Sequence, residues 1–330
     1  MKRALITGVA GQDGSYMADL LMEKGYEVYG VLRKSTEPEM LWRIKHLIGK
    51  PNFHFTQGDV TDCSLVHGLV RDILPDEIYH FAAQSFVGRS WREPRMTLEQ
   101  NVFGTLNIVE AARLYAPKAR ILQASSSEMF GRSVPPQSER TTFHPASPYA
   151  VSKVAAHHLA VNYRESYGMF VCCSIAFNHE SPRRGAEFVT RKIVNAFAQT
   201  AVFGGDQEIM LGNMDARRDW GHAKDYVRAM WMMIQRDAPK DYVIGSGKSY
   251  SVKEFIDLCW RNCDIKQDHK RTLNFRSDPL LMRPLDDFEL LADPSMIKND
   301  LGWSPGYDIN GLINEMFNEE ILRLKTTGKN

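Results

Sequence analysis

Three glycines spaced three apart, Gly8, Gly11 and Gly14, stand directly behind a short apolar run and narrow the fold more than any other feature. Residues 3–7, RALIT, read as a buried strand. A helix is predicted from about Gln12 to Lys24, with Met17, Leu20 and Leu21 on its apolar side, and YEVYGVL then reads as a second strand ending near Leu32. Strand, glycine turn, helix and strand at these lengths open a dinucleotide-binding parallel sheet. Gly8 permits the tight turn, Gly11 lets the backbone approach a pyrophosphate, and Gly14 lets the helix pack closely on the sheet. Free N–H groups at the helix start, where Gln12 and Asp13 stand, would meet the pyrophosphate.

The alternation continues. Strands are predicted at Asn52–Gln57, Glu77–Phe81, Arg120–Ala124 and Phe170–Ala176, with a long helix over about Thr97–Leu114. Ligands of such sheets sit beyond the carboxyl ends of the strands. Ser85, Ser126 and Asn178 all follow such ends. Asp59 can accept a hydrogen bond from an adenine amino group with Val60 beside the ring, and the small residues Ala82 and Ala83 let backbone pass close to a cofactor. An NAD site places a carboxylate at the end of the second strand. Here Arg33, Lys34 and Ser35 stand there, and cations with a hydroxyl suit a 2′-phosphate. The expected cofactor is therefore NADP.

Tyr149 and Lys153 lie four apart in SPYAVSK and share a face on a helix. A free phenol titrates near pH 10, and a nearby ammonium and a nicotinamide cation are both expected to lower that value. Tyr149 can then take a proton from a sugar hydroxyl as hydride leaves the same carbon, while Lys153 holds the nicotinamide ribose. In ASSSEMFG, Ser126 can hydrogen-bond the reacting oxygen. Glu128 adds a carboxylate that a plain dehydrogenase does not need: beside a new ketone at C4, the C5 proton becomes acidic and a base can remove it.

Composition sets limits. The chain has 330 residues, enough for one large domain or two smaller ones. Its formal net charge of +1 gives no bulk attraction to nucleic acid or membrane, and neither is an expected partner. Cys63, Cys172, Cys173, Cys259 and Cys263 show neither metal-ligand spacing nor a disulfide framework, so no metal is expected. No apolar run approaches a membrane span. A cytoplasmic protein is the expectation.

TGVAGQDGSYMADLL, AAQSFVGRSW, QASSSEMFG, SPYAVSK, NYRESYG, FNHESPRRGAEFVTRKI and LGNMDARRDWGHAKDYVRAMW closely resemble the GDP-mannose 4,6-dehydratase family of the extended short-chain dehydrogenase/reductase superfamily, over nearly the whole chain. The resemblance implies NADP held through the cycle and GDP-mannose converted to GDP-4-keto-6-deoxymannose. It places the family's catalytic threonine at Ser126, its glutamate at Glu128, and its tyrosine and lysine at Tyr149 and Lys153. It implies cofactor contacts at His179 and Arg184. It puts Asn178, Lys192, Arg218 and Arg283 near the diphosphate or nucleotide, and Val189, Leu211 and Gly212 near the base. Ser85 joins both the cofactor and the substrate set. The loop RKSTEPEMLWRIKHL resembles the family's adenosine-phosphate loop, which implies a homotetramer.

The implied fold class is α/β, a Rossmann-like parallel sheet with a smaller, discontinuous α/β substrate-binding lobe. Residues 1–177 would form the dinucleotide-binding domain, continued by about 219–243. Residues 178–218 and 244–322 would form the lobe, and 323–330 a flexible tail. Beyond about Phe177 the cations Arg183, Arg184, Arg191, Lys192, Arg217, Arg218 and Arg283 suit a sugar-nucleotide diphosphate. Tyr226, Met230 and Ile234 have the spacing of core contacts, Trp231 and Trp260 read as core, and SVKEFIDLCW reads as an amphipathic helix capped by Ser251.

One stretch departs from the family. RPLDDFELLADP stands where the family has an RPxEVD-type sequence: Asp286 keeps a carboxylate, while Asp287 and Phe288 differ. The departure bears on the nucleotide or the sugar, for example a GDP-heptose, more than on the reaction type. The alternatives at this stage are a 4-keto-6-deoxymannose reductase or a nucleotide-sugar epimerase on the same fold, and a non-catalytic NADP-binding protein.

Overall fold

Alternation within the first strand, β1 (Arg3–Thr7), shows how the sheet is covered. Ala4 and Ile6 enter one apolar layer and Leu5 the other, all essentially without solvent contact. A strand buried on both faces belongs inside a parallel sheet with helices on either side. The computed structural model describes residues 1–33, 38–263, 265, 272–285 and 289–327. Its strands in chain order are β1, β2 (Glu27–Leu32), β3 (Phe53–Gln57), β4 (Glu77–His80), β5 (Arg120–Ser126), β6 (Val171–Ala176), β7 (Asn178–Glu180), β8 (Gln207–Leu211), β9 (Arg217–His222), β10 (Tyr242–Ile244), β11 (Ser249–Ser251), β12 (Leu273–Ser277) and β13 (Glu289–Leu290).

Seven strands form the central sheet in the order β10-β6-β5-β4-β1-β2-β3, every pair parallel. The chain runs outward from β1 through β2 to β3, then returns to β4 on the other side of β1. The connections leaving β1 and β4 therefore lead toward opposite edges of the sheet, and this switch point places a crevice at the carboxyl ends of the strands. Helices Gln12–Glu23 and Ala223–Ile234 cover one face, with Met17, Leu21, Tyr226, Met230 and Ile234 in the core. Helices Cys63–Ile73, Gly104–Tyr115 and Pro148–Tyr167 cover the other, around Val66, Val70, Ile108 and Ala160. Burying a side chain such as Leu21 contributes roughly 1.5–3 kcal/mol.

The lobe is built on β9, which pairs in parallel with β7 and β13 and antiparallel with β11; β8 and β12 form a separate parallel pair. Phe197, Trp220, Phe255 and Met316 centre its core, against which Trp260 packs; Trp231 packs on the sheet's own core. Ser251 caps the helix Val252–Asn262 as expected. Its hydroxyl accepts from Glu254 N at 3.0 Å, while the Glu254 carboxylate accepts from Ser251 N at 2.6 Å.

Two predicted elements change. The long helix expected over Thr97–Leu114 is two helices, Pro94–Leu98 and Gly104–Tyr115, joined by a π-helical turn at Glu99–Phe103. The wider turn carries Asn101 inward, where it is 2% exposed. The helix Ile309–Thr327 also continues past Leu322, so residues 323–327 are helical where a flexible tail was expected. Among the described residues, no helix is long and apolar enough to cross a membrane.

Candidate active site

A cavity of about 750 Å³ fills the crevice between sheet and lobe. Its floor is the glycine turn. Gly8 has φ +72°, and a Cβ there would come within 3.0–3.2 Å of the Phe81–Ala82 backbone, because the loops after β1 and β4 pass side by side. A Cβ on Gly14 would meet Gly8 O at 2.3 Å, so the helix lies on the turn with no room for a side chain. The N-cap of that helix, Gly11, supplies no side-chain hydrogen bond. Its first N–H groups therefore remain available to an anion. Gln12, Asp13, Arg33, Asp59, Val60, Ala83 and Ser85 line the same cavity. Arg33 reaches Gln100 Oε1 at 3.3 Å, and one Asp59 oxygen accepts from both the N–H and the hydroxyl of Thr61. Ser35 lies outside the described residues.

The side chains expected to react come from β5, the turn after it and the helix Pro148–Tyr167. Ser147 caps that helix through Ala150 N at 3.1 Å, and Pro148 occupies its first turn. Tyr149 and Lys153 then fall one turn apart on its cavity side. Strand β5 runs two residues beyond its predicted end, to Ser126, and a 3₁₀ turn follows at Ser127–Met129. The turn folds Glu128 back over Ser126, whose Oγ accepts from Glu128 N at 3.3 Å. The Ser126 hydroxyl also favours the charged form of the Tyr149 phenol. Ser126, Glu128, Tyr149 and Lys153 are all 5–8% exposed and border one cavity.

Burial dominates the electrostatics of Tyr149 and Lys153. Burial pushes the Tyr149 phenol up to about 12; Ser126 and Arg184 oppose the shift and the Glu128 charge adds to it. Burial likewise lowers Lys153 to about 8, against the pull of Asp13. The Lys153 ammonium sits 5.9 Å from the Tyr149 ring centre and donates to Ala124 O at 2.9 Å. Desolvation sets the direction for the phenol of the protein alone; the nicotinamide cation is the second charge expected to lower it.

On the same cavity, His179 Nε2 lies 2.9 Å from Asp13 Oδ2 and Nδ1 lies 2.7 Å from Phe177 O. Gln12 Nε2 donates to His179 O at 2.9 Å, and Ser181 Oγ donates to Gln12 Oε1 at 2.8 Å. The glycine-turn helix is thereby tied to β7. Arg184 pairs with Glu180 at 3.0 Å and lies 3.5 Å over the Phe188 ring.

On the lobe side, Asn178, Val189, Lys192, Leu211, Gly212, Arg218 and Arg283 border the cavity. Asn178 Oδ1 is buried with no hydrogen-bond partner among the described residues. Such an atom in a cavity wall fits a polar ligand. Arg283 Nη1 stands 3.5 Å from Glu128 Oε2. Two other predicted cations face away. Arg191 turns into the lobe and pairs with Glu320, and Arg217 is held by Glu254 at 2.9 Å and Glu289 at 3.3 Å. Asp286 lies outside the described residues.

Residues 5–316 match the sequence profile of the family described as GDP-mannose 4,6 dehydratase. The chain belongs to the GDP-mannose 4,6-dehydratase family. It is 44% identical to the GDP-mannose 4,6-dehydratase of Yersinia enterocolitica over 98% of this chain and 95% of that protein. With GDP-mannose 4,6 dehydratase 1 of Arabidopsis thaliana it shares 43% identity over 97% and 90%. Among solved structures it resembles the dTDP-glucose 4,6-dehydratase of Bacillus anthracis in complex with NAD (TM-score 0.82, 22% identity, 98% of each chain). It also resembles RMD of Pseudomonas aeruginosa complexed with NADPH (TM-score 0.80, 22% identity, 98% of this chain and all of that one). Both likenesses are of fold.

The match makes this GDP-mannose 4,6-dehydratase family member an enzyme of the hydro-lyase type. Its site also holds residues that motif reading passed over. Arg43 is 8% exposed, donates to Arg183 O at 2.8 Å and Ala10 O at 3.2 Å, and so braces the glycine turn against the lobe. Asn101, on the π turn, binds both Gln84 and the Ser152 hydroxyl. Gln84 in turn accepts from Phe86 N at 2.6 Å, and so sets the loop that presents Ser85. The dehydratase motifs name the loop after β2 and the helix after β4, but these brackets depend on contacts between distant segments.

Proposed function

We propose that this chain converts GDP-D-mannose to GDP-4-keto-6-deoxy-D-mannose and water, with NADP retained through the cycle and Ser126, Glu128, Tyr149 and Lys153 as the reacting groups. The observation that carries the reading is the convergence of those four buried side chains on one cavity above the glycine turn. NADP is favoured over NAD by Arg33, a cation at the end of β2 where an NAD site would carry a carboxylate. In the same reading the parallel sheet holds the dinucleotide, and Asn178, Lys192, Arg218 and Arg283 serve the diphosphate. Val189, Leu211 and Gly212 serve the base. The reading extends to a homotetramer through the loop after β2 and to a cytoplasmic setting, where the buried thiols of Cys172, Cys173, Cys259 and Cys263 suit reducing conditions.

When bound, the dinucleotide supplies the acceptor for hydride from C4 and the donor of hydride to C6. Tyr149, steadied by Ser126, takes the proton of the C4 hydroxyl. Lys153 holds positive charge beside the phenolate so formed. Glu128 then takes the C5 proton, now acidic beside the ketone, and delivers a proton to the C6 hydroxyl, which leaves as water while the C5–C6 double bond forms. C5 regains one proton at the end, which balances the one Tyr149 removed at the start. The cavity holds the reacting carbons in place while the charges move.

The test is an incubation of the purified chain with GDP-mannose and substoichiometric NADP⁺, followed by mass spectrometry and absorbance of reduced nicotinamide. Loss of one water, with many turnovers per cofactor and no accumulating NADPH, is the expected result. A product that keeps its C6 hydroxyl sinks the proposal. Glu128→Gln is expected to bind substrate and fail to eliminate water; full activity in that variant removes Glu128 from the reaction.

A further inference from the structure

Arg283 and Glu128 belong to different parts of the molecule. Glu128 is on the 3₁₀ turn that follows β5 of the central sheet, and Arg283 follows the 3₁₀ turn Pro279–Leu281 of the lobe. Their 3.5 Å approach crosses the cavity. The carboxylate side chain is 9% exposed and the guanidinium side chain 31% exposed, so the cation retains access to the space a ligand would enter. At 3.5 Å the contact is an ion pair without a tight hydrogen bond. It can be exchanged for a better one.

We infer that Arg283 is a positioning residue shared by two anions: it holds the Glu128 carboxylate in the free enzyme and passes to the diphosphate when the nucleotide-sugar binds. The inference rests on the reaction proposed above, in which Glu128 is the base and the diphosphate lies among Lys192, Arg218 and Arg283. A diphosphate offers several charged oxygens to the guanidinium fork, whereas Glu128 Oε2 lies 3.5 Å from Nη1, beyond a tight hydrogen bond. C5 of the sugar is two ring bonds from the anomeric carbon that carries the diphosphate. An arginine that leaves Glu128 for the phosphate therefore moves a short way and uncovers the carboxylate beside the carbon it must deprotonate. Occupancy of the diphosphate site would thus free the base only when substrate is present.

Exchange of one cation between two anions makes a thermodynamic demand. If Glu128 competes with the diphosphate for Arg283, removing the carboxylate charge must tighten nucleotide-diphosphate binding, and the gain must depend on Arg283. GDP, which has no sugar, is the probe. Its affinity is measured by calorimetry on the NADP-loaded protein for the unaltered chain, Glu128→Gln, Arg283→Gln and the double variant. Glu128→Gln is expected to bind GDP at least about fivefold more tightly, the lower end of typical site-to-site coupling. Arg283→Gln is expected to bind it more weakly, and Glu128→Gln is expected to add nothing in that background. Arg283→Lys supplies a second background, with charge but no fork, if the glutamine variant folds poorly. Equal tightening in both backgrounds would mean direct repulsion between Glu128 and the phosphates and would overturn the exchange. Unchanged affinity in Glu128→Gln would overturn it too. Dehydrated product without coupling removes the exchange alone. Coupling in a chain that yields no dehydrated product leaves the exchange standing and overturns the reaction.

Discussion

The imidazole of His179 stands between two acceptors, with Asp13 Oδ2 2.9 Å from Nε2 and Phe177 O 2.7 Å from Nδ1. A carbonyl and a carboxylate can both be satisfied only if both ring nitrogens carry protons, so the geometry favours an imidazolium paired with Asp13. With both nitrogens engaged, any contact of His179 with the cofactor falls to its carbon edge or its backbone. Burial pushes His179 down, yet the charge of Asp13 and the hydrogen bond to it win, and the net shift is upward. Burial pushes Asp13 up, and the charge of His179 with its hydrogen bond brings it below the usual carboxylate value.

A pH dependence follows from those directions. The raised histidine contributes stability that is fully present below about pH 6.5 and is lost as pH rises through its higher folded value. The depressed aspartate contributes stability present above about pH 4 and lost as pH falls through its lower folded value. The pair therefore stabilises most between those limits. His179→Gln is expected to cost about 1.5–3 kcal/mol near pH 6, the range for hydrogen bonds to charged groups. It should cost clearly less at pH 9. Chemical denaturation of both proteins at the two pH values measures this, and an equal cost at both would show that His179 is neutral.

Tyr149 makes the second prediction. The protein's own groups place its phenol at about 12, chiefly through burial, so the positive charge of a bound nicotinamide would favour its action as a base. Lys153, at about 8, loses its own charge in mildly alkaline solution. Tyr149→Phe is expected to reduce kcat by about 10²–10⁴-fold, the usual range for a positioned proton-transfer group. NADPH binding, followed by its fluorescence, should change little. A variant that loses cofactor affinity and activity in parallel would make Tyr149 a binding residue instead.

Much of this site was legible because its parts are local. Gly8, Gly11 and Gly14 act within one turn, and Tyr149 and Lys153 share a helix face through spacing alone. Three things were not legible. The Asp13–His179 and Glu128–Arg283 contacts join segments more than 150 residues apart, and no local pattern encodes them. The π turn that carries Asn101 inward has no periodicity distinct from the helices on either side. Arg191 and Lys192 are adjacent cations of one type in the sequence, but the helix Val189–Phe203 points the first at Glu320 and the second at the cavity. The size of the burial effect on Tyr149 was not legible for a related reason: nearby charges can be counted in a sequence, whereas depth of burial cannot.

Packing at the glycine turn gives the third prediction. A methyl group on Gly14 would meet Gly8 O at 2.3 Å, a backbone atom that cannot swing aside, whereas one on Gly25 meets nothing within 4 Å. Gly25 does have φ +76°, so alanine there carries a conformational cost of about 1–2 kcal/mol and no clash. Gly14→Ala is helical and escapes that cost, but it overpacks the turn, at about 1–3 kcal/mol. The two substitutions should therefore be similar in urea denaturation and very different in cofactor binding. Gly14→Ala should lose NADPH affinity because the helix start moves off the pyrophosphate position, and Gly25→Ala should keep it. Equal NADPH affinity in the two variants would show that the helix can shift without disturbing the anion site.

Arg33 tests the choice of cofactor. It follows β2 on the cavity wall, exposed, with Nη1 3.3 Å from Gln100 Oε1. That contact is long and neutral on the acceptor side, so a phosphate monoester would displace it readily. NADPH carries such a group at the adenosine ribose and NADH does not. Loss of one charge-assisted contact, at about 1.5–3 kcal/mol, weakens binding by roughly 10–100-fold. Arg33→Ala is expected to lose that much affinity for NADPH while its affinity for NADH stays within about twofold. Rising salt should weaken NADPH binding to the unaltered chain more than to the variant, because part of the attraction is removed with the guanidinium. If both dinucleotides weaken equally, Arg33 acts on the shared part of the molecule, and the preference for a 2′-phosphate lies elsewhere in the loop after β2.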